Sequence, residues 1–140
     1  MLMRLIYASE ASQALAPGEL DALLATARRG NARRALTGLL VLDHRAFLQV
    51  LEGEAGRVSE VFCRIAADPR HERVRIIEAR AVAERLFGHW SMGFAAADAA
   101  GAAQFLRFGG GPGFDPHALG AESALGLLQA LGARASGPSP

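Results

Sequence analysis

Tyr7, Asn31, Gln49, Trp90 and Met92 are the side chains of this sequence with the most chemistry to offer. Gln49 lies in Phe47-Leu48-Gln49-Val50-Leu51-Glu52-Gly53, an otherwise apolar run that reads as a strand. Strand side chains alternate faces, so Phe47, Gln49 and Leu51 share one face and Leu48, Val50 and Glu52 the other. An amide buried between two large apolar neighbours costs about 1–3 kcal/mol if it finds no partner. Asn31 raises the same question on a helix. Each of the five has an ordinary reading when taken singly. Tyr and Trp fill cores while a polar tip finds the backbone, Met packs, and Asn can end a helix. Taken together, two inward amides beside a phenol point to a planar, polar ligand held between helices.

The elements that must position these residues follow from periodicity. Met3 to Ser9 reads as the first strand, with Leu5, Tyr7 and Ser9 on one face. Pro17 suits the first position of a helix that runs to about Gly30, with Leu20, Leu23, Leu24 and Ala27 as its apolar stripe. Asn31, extended helically, falls on that stripe. Leu36 to Asp43 reads as the second strand, and Asp43-His44-Arg45-Ala46 as a hairpin turn into the Gln49 strand. A second helix from about Glu54 to Ala67 carries Val58, Val61, Phe62 and Ile65 inward and stops before Pro69. Cys63, beside that stripe, reads as a small buried hydrophobe, and Arg64 with Asp68 as a surface pair. Val74 to Ala79 reads as a fourth strand. Trp90 to Phe94 reads as a fifth, with Trp90, Met92 and Phe94 on one face. Ala95 to Arg107 reads as helical, Phe108 to Pro116 as a break, Ala121 to Ala133 as a final helix, and Ala135 to Pro140 as a disordered tail.

This order predicts an α+β fold, a ferredoxin-like βαββαβ sandwich with an added fifth strand. Two helices would cover one sheet face. The C-terminal helices would cover the other, which otherwise exposes Ile6, Leu48 and Val50.

Composition narrows the function classes. The chain has 140 residues, 51% of them hydrophobic, and a net charge of +1. That length supports one domain with a real core, and that charge gives no reason to expect a nucleic-acid partner. No apolar run approaches the roughly 20 residues needed to span a bilayer, and the N-terminus has no signal-peptide pattern. A single cysteine excludes an internal disulfide framework and fits a cytoplasmic protein. The histidines are scattered without metal spacing. Ser9, Ser59 and Ser91 have no base partner legible in the sequence, and the glycine-rich run at 109–113 follows a helix, not a strand, so it reads as a linker.

Five segments carry a resemblance. Leu5-Ile6-Tyr7-Ala8-Ser9, Asn31 with Leu36-Thr37-Gly38-Leu39-Leu40, Phe47 through Gly53, Asp68-Pro69-Arg70-His71 and Trp90-Ser91-Met92-Gly93-Phe94 resemble the successive signatures of BLUF domains, blue-light sensors that use a flavin. The likeness runs from Met3 to Phe94 with consistent spacing. It implies a flavin-binding domain over 1–95, a C-terminal helical extension over 96–133 and a tail over 134–140. Two departures stand out: many members carry a second Asn where this chain has Gly30, and their usual Asp-Gly hairpin is Asp43-His44 here.

The resemblance implies a non-covalent flavin, FAD or else FMN or riboflavin, lying between the two helices. Asn31 and Gln49 would bond the polar ring edge, and Arg64, Asp68, Arg70 and His71 match positions contacting the ring edge or ribityl chain. A photoreceptor needs a bound chromophore, because no ordinary side chain absorbs blue light. Light would drive electron and proton transfer from Tyr7 to the flavin, and Gln49 would rearrange its hydrogen bonds. Trp90 and Met92 would read out that change through the fifth strand and the C-terminal helices. The output would be a separate, unidentified protein, since residues beyond Ala95 resemble no output enzyme, and the chain itself would catalyse no turnover. Leu48, Val50 and the apolar side of the last helix could support a homo-oligomer or could bury each other. The competing reading is a non-photoactive ferredoxin-like module that binds a small ligand or a protein.

Overall fold

Alternating side chains on β1 (Leu2–Ala11) and β3 (Ala46–Glu54) build both faces of a mixed sheet, because the two strands pair antiparallel along their whole length. The computed structural model describes residues 1–98 and 101–135. Its other elements are α1 (Pro17–Arg33), β2 (Thr37–Asp43), α2 (Ala55–Ala67), β4 (His71–Ala81), β5 (Gly93–Ala96), α3 (Ala102–Phe108) and α4 (Ala121–Gly132). The sheet order is β4-β1-β3-β2-β5. All pairs are antiparallel except β2 with β5. The first four strands with α1 and α2 form the split βαβ of the ferredoxin-like plan, and β5 is the added strand. Among the described residues no helix is long and apolar enough to cross a membrane.

Each sheet face has its own core. Leu5, Tyr7, Leu40, Phe47 and Leu51 lie on the α1/α2 side with Leu24 and Val58. Ile6, Leu39, Val41, Leu48 and Val50 lie on the other side, against Leu127, Leu128 and Leu131 of α4 and Phe105 of α3. Burying one such leucine contributes about 1.5–3 kcal/mol, so α4 covers what would otherwise be a large apolar surface. The two faces differ in how well they are sealed. α4 buries Ala124, Leu127, Leu128 and Leu131. The longer α1 buries only Leu24 and Asn31, and α2 only Val58.

Local chemistry explains the element ends. Pro17 opens α1, and the Glu19 carboxylate accepts from Ala16 N at 3.1 Å. Glu54 caps α2 by accepting from Arg57 N at 3.1 Å. Gly38 is required where β2 meets β3, since a Cβ there would lie 2.1 Å from Val50 O.

The structure departs from the sequence reading in five places. α1 runs past Gly30 to Arg33, which puts Asn31 in its last turn. β4 is longer than 74–79, because His71 and Ala81 both find partners on β1. The fifth strand begins only at Gly93, which pairs with Leu39. Ala95 and Ala96 belong to that strand, and of the helix expected over 95–107 the described residues form α-helix at Ala102–Phe108, while 99–100 lie outside the described residues. Cys63 is exposed and not buried. Of the expected tail, residues 136–140 lie outside the described residues.

The hairpin turn stores some strain. His44 has a φ of 52°, in the left-handed region, where a residue with a Cβ is disfavoured relative to glycine. His44→Gly is expected to raise stability by about 0.5–1 kcal/mol once the greater chain entropy of glycine is deducted. Equilibrium urea unfolding checks this, and a drop in stability would contradict it.

Candidate functional site

Register brings the phenol and one amide together. Tyr7 of β1 lies directly opposite Gln49 of β3, and on the same face their side chains meet. The Tyr7 hydroxyl donates to Gln49 Oε1. Both groups are interior, with Tyr7 1% and Gln49 6% exposed. Burial pushes the Tyr7 phenol well above its ordinary range, so the hydroxyl stays protonated and remains a donor. The edge of Phe62, from α2, closes over Tyr7 with ring centroids 5.3 Å apart.

The other arm of Gln49 reaches across the sheet. Its Nε2 donates to Met92 Sδ at 3.3 Å. A thioether is a weak acceptor, so this arm is held less firmly than the first. Asn31, in the last turn of α1, donates from Nδ2 to Ser91 O at 2.9 Å. Among the described residues no hydrogen bond uses Asn31 Oδ1. The interior amides therefore each find protein partners. One amide acceptor is left over, and one amide donor holds a sulfur.

A second group continues the line along the sheet. His71 Nδ1 lies 3.2 Å from Ser9 Oγ, and its ring packs on Phe47 at 5.0 Å between centroids. Ser9 and Phe47 are each two residues from Tyr7 and Gln49 on the same face, so His71 borders the site. Ser9 thus has a histidine partner that the sequence did not disclose, but it is 0% exposed and no substrate reaches it as a nucleophile. Desolvation pulls the His71 pKa down, opposed by nearby Asp68. Asp68 ends α2 and accepts from the Arg70 backbone at 2.9 Å and its guanidinium at 2.6 Å. These bonds hold its carboxyl at about 2.

Two expected members stand elsewhere. Arg64 pairs with Glu60 at 2.7 Å, not with Asp68, and its side chain is exposed. Trp90 packs against the opposite core, the cluster that holds Ile6, Leu39 and the leucines of α4, whereas Met92 is fully buried in the core that holds Tyr7. The two do not share a face, because residues 90–92 precede the ladder and strand alternation does not govern them. The sequence reading also missed Arg28, whose Nε donates to Met92 O at 2.8 Å. It missed the buried ion pair of Arg4 with Glu52, at 2.8 Å on the far face.

A family profile described as sensors of blue light using FAD matches residues 2–93. The chain belongs to the BLUF family. It is 34% identical over 92 residues to the photoactivated adenylate cyclase subunit beta of Euglena gracilis, a match covering 65% of this chain and 11% of that protein. The chain thus spans about a tenth of the length of this relative. Among solved structures it is similar to BlsA in its photo-activated state, at a TM-score of 0.84 and 30% identity over 94% of each chain. It is also similar to Klebsiella pneumoniae BlrP1 with FMN and cyclic diGMP, at a TM-score of 0.63 and 34% identity, over 71% of this chain and 26% of that one.

The residues present fit the flavin that this BLUF membership implies. Leu20, Leu23 and Ala27 of α1 and Val61, Phe62 and Ile65 of α2 pack toward the Tyr7 cluster yet stay only half-buried. A flat apolar ring would complete their burial, and Asn31 Oδ1 supplies an acceptor for an N–H on its edge.

The His71 environment sets a pH dependence. Its folded pKa lies below its unfolded one, so as pH falls the unfolded chain takes up the proton first. Stability is therefore lost as pH drops below about 6.5, the unperturbed value. Asp68, with its carboxyl held at about 2, stays ionised through that range. His71→Gln should show a smaller loss of stability between pH 7.5 and 5.5 than the natural sequence, measured by urea unfolding at each pH. Identical losses would assign the pH dependence to other groups.

Proposed function

We propose that this chain is a blue-light receptor module that holds a flavin without a covalent bond and reports to a separate protein, with no turnover of its own. The observation that carries the reading is the Tyr7–Gln49 pair, one phenol donating to an interior amide whose other arm rests on a weak acceptor. Residues 1–95 form the flavin-binding unit in this reading, and residues 96–133 the extension that covers the far sheet face.

Asn31 and Gln49 would hold the polar edge of the ring. His71, Asp68 and Arg70 would border its ribityl end, with Arg64 further out on the exposed side of α2. FAD is the flavin that the family description names; the BlrP1 structure holds FMN. These residues would grip the part that both share.

A bound flavin supplies the absorption of blue light and, once excited, a strong one-electron oxidant. The remaining steps belong to the protein. Loss of an electron from the Tyr7 ring makes its hydroxyl proton strongly acidic, and the proton moves along the hydrogen bond toward Gln49 Oε1. Gln49 then exchanges partners. Electron and proton return to Tyr7, so atoms and charges balance over the cycle while the hydrogen-bond pattern has changed. Met92 feels that exchange first, being bonded to Gln49. Trp90 lies across the sheet, two residues up the chain, and passes the change toward the core that β5 and α4 share.

The competing reading, a non-photoactive binding module of the same fold, draws on the fact that both arms of Gln49 have protein partners. An absorption spectrum separates the two. The purified chain reconstituted with FAD should be yellow, shift slightly to the red under blue light and recover in the dark. Tyr7→Phe removes the donor, and Gln49→Leu leaves the buried hydroxyl unpaired at a cost of about 1–3 kcal/mol. Each variant should still bind flavin and lose the red shift. A normal photocycle in either would reject the mechanism, and failure of the natural chain to take up flavin would reject the receptor reading.

A further inference from the structure

Three consecutive carbonyls just before β5 are taken by three different donors. Trp90 O accepts from Gly38 N of β2 at 3.1 Å. Ser91 O accepts from Asn31 Nδ2 at 2.9 Å. Met92 O accepts from Arg28 Nε at 2.8 Å. Only the last donor is a charged side chain, and charge-assisted hydrogen bonds are roughly twice as strong as neutral ones. Arg28 stands three residues before Asn31, so both reach the segment from one side of α1.

The Met92 side chain is the partner of Gln49 Nε2. A methionine side chain has three rotatable bonds and adapts readily to its surroundings, so packing alone is a loose way to keep its sulfur beside an amide. Fixing the Met92 backbone leaves those torsions free, but it fixes the point from which they carry the sulfur. We infer that Arg28 is a positioning residue whose Nε–H, bonded to the Met92 carbonyl, keeps the Met92 sulfur where Gln49 meets it in the dark and thereby sets how fast the light-altered arrangement recovers. This inference rests on the receptor reading given under Proposed function. Arg28 touches none of the reacting atoms. It acts through the main chain of the residue that does the contacting.

Two variants isolate the donor from charge and bulk. In Arg28→Gln the amide nitrogen takes the place of Nε in the chain, which keeps a neutral donor there. In Arg28→Met a methyl group takes that place, which keeps the length and removes the donor. With FAD bound, Arg28→Gln should recover at close to the natural rate, and Arg28→Met roughly tenfold more slowly. In the dark, infrared spectra of chains carrying ¹³C at methionine carbonyls should show the Met92 band, assigned with Met92→Leu, at higher frequency in Arg28→Met than in Arg28→Gln. Recovery of Arg28→Met at the natural rate would overturn the inference, as would Arg28→Gln behaving like Arg28→Met. If Arg28→Met takes up no flavin, the carbonyl band of the flavin-free chains decides, and an unmoved band overturns it. A natural chain without a photocycle would end the receptor reading and this inference together. A natural photocycle with an unaffected Arg28→Met would end this inference alone.

Discussion

The pairing of Tyr7 with Gln49 depends on the register of β1 against β3, and a buried ion pair on the opposite face holds that register. Arg4 and Glu52 are cross-strand partners on the same ladder, 2.8 Å apart and both nearly inaccessible. Glu52 also accepts from Leu86 N at 3.0 Å and Phe87 N at 2.6 Å. A slip of one residue would turn every β1 side chain to the other face. It would separate Arg4 from Glu52, and breaking a buried pair costs about 3–5 kcal/mol. Such pairs contribute little net stability over apolar substitutes. The role that follows from their position is to make one register far better than its neighbours. Arg85 extends the same anchor, donating to Thr37 Oγ1 and to the Ala35 and Glu52 carbonyls. The start of the 85–92 connection is therefore tied to the strands whose register places the site.

The two faces divide the work. On the far side, α4 covers the sheet with the buried Leu127, Leu128 and Leu131. On the near side, α1 and α2 stand over the sheet with their apolar residues half-buried. A chain this small cannot leave much apolar surface unburied without loss of stability. A ligand that binds only the folded state and finishes that burial stabilises it by mass action. The incomplete packing of α1 and α2 is then the structural counterpart of cofactor binding.

Much of this was legible in the sequence because it is local. Alternation in Phe47 to Leu51 put Gln49 on the inner face, and helical spacing carried Asn31 onto the stripe of Leu20 and Leu24. What was not legible depended on partners distant in the chain. Trp90 to Phe94 reads as a strand by composition, yet the carbonyls of residues 90–92 are claimed by Gly38, Asn31 and Arg28, so the ladder starts at Gly93 and the predicted sharing of a face fails. Arg64 had acidic residues on either side at helical spacing. Asp68 sits at the end of α2 with extended backbone, φ −73° and ψ 123°, where the helical spacing no longer holds, and Glu60 takes the arginine. Arg4 and Glu52 could have been matched only by knowing the register of two strands that are not a hairpin.

The segment from Trp90 to Gly93 is where the chain passes from one face to the other. Met92 belongs to the core of Tyr7, and Trp90 packs against the core of α4. Between them the chain crosses the edge of the sheet beside β2. Gly93 lets this crossing be tight, because a Cβ there would lie 2.7 Å from the Trp90 ring. Any other residue would push the indole off its seat. Met92 and Trp90 are thus joined through a stretch of main chain with no slack. On the receptor reading, an exchange of partners at Gln49 changes what the Met92 sulfur contacts, and the backbone that would absorb the movement is pinned at its carbonyls. Packed cores shift between discrete arrangements and do not deform smoothly. A displacement too large for those three hydrogen bonds must therefore break one of them, and the indole, seated on Gly93 and against Leu39, is the first large side chain on the far face to lose its fit.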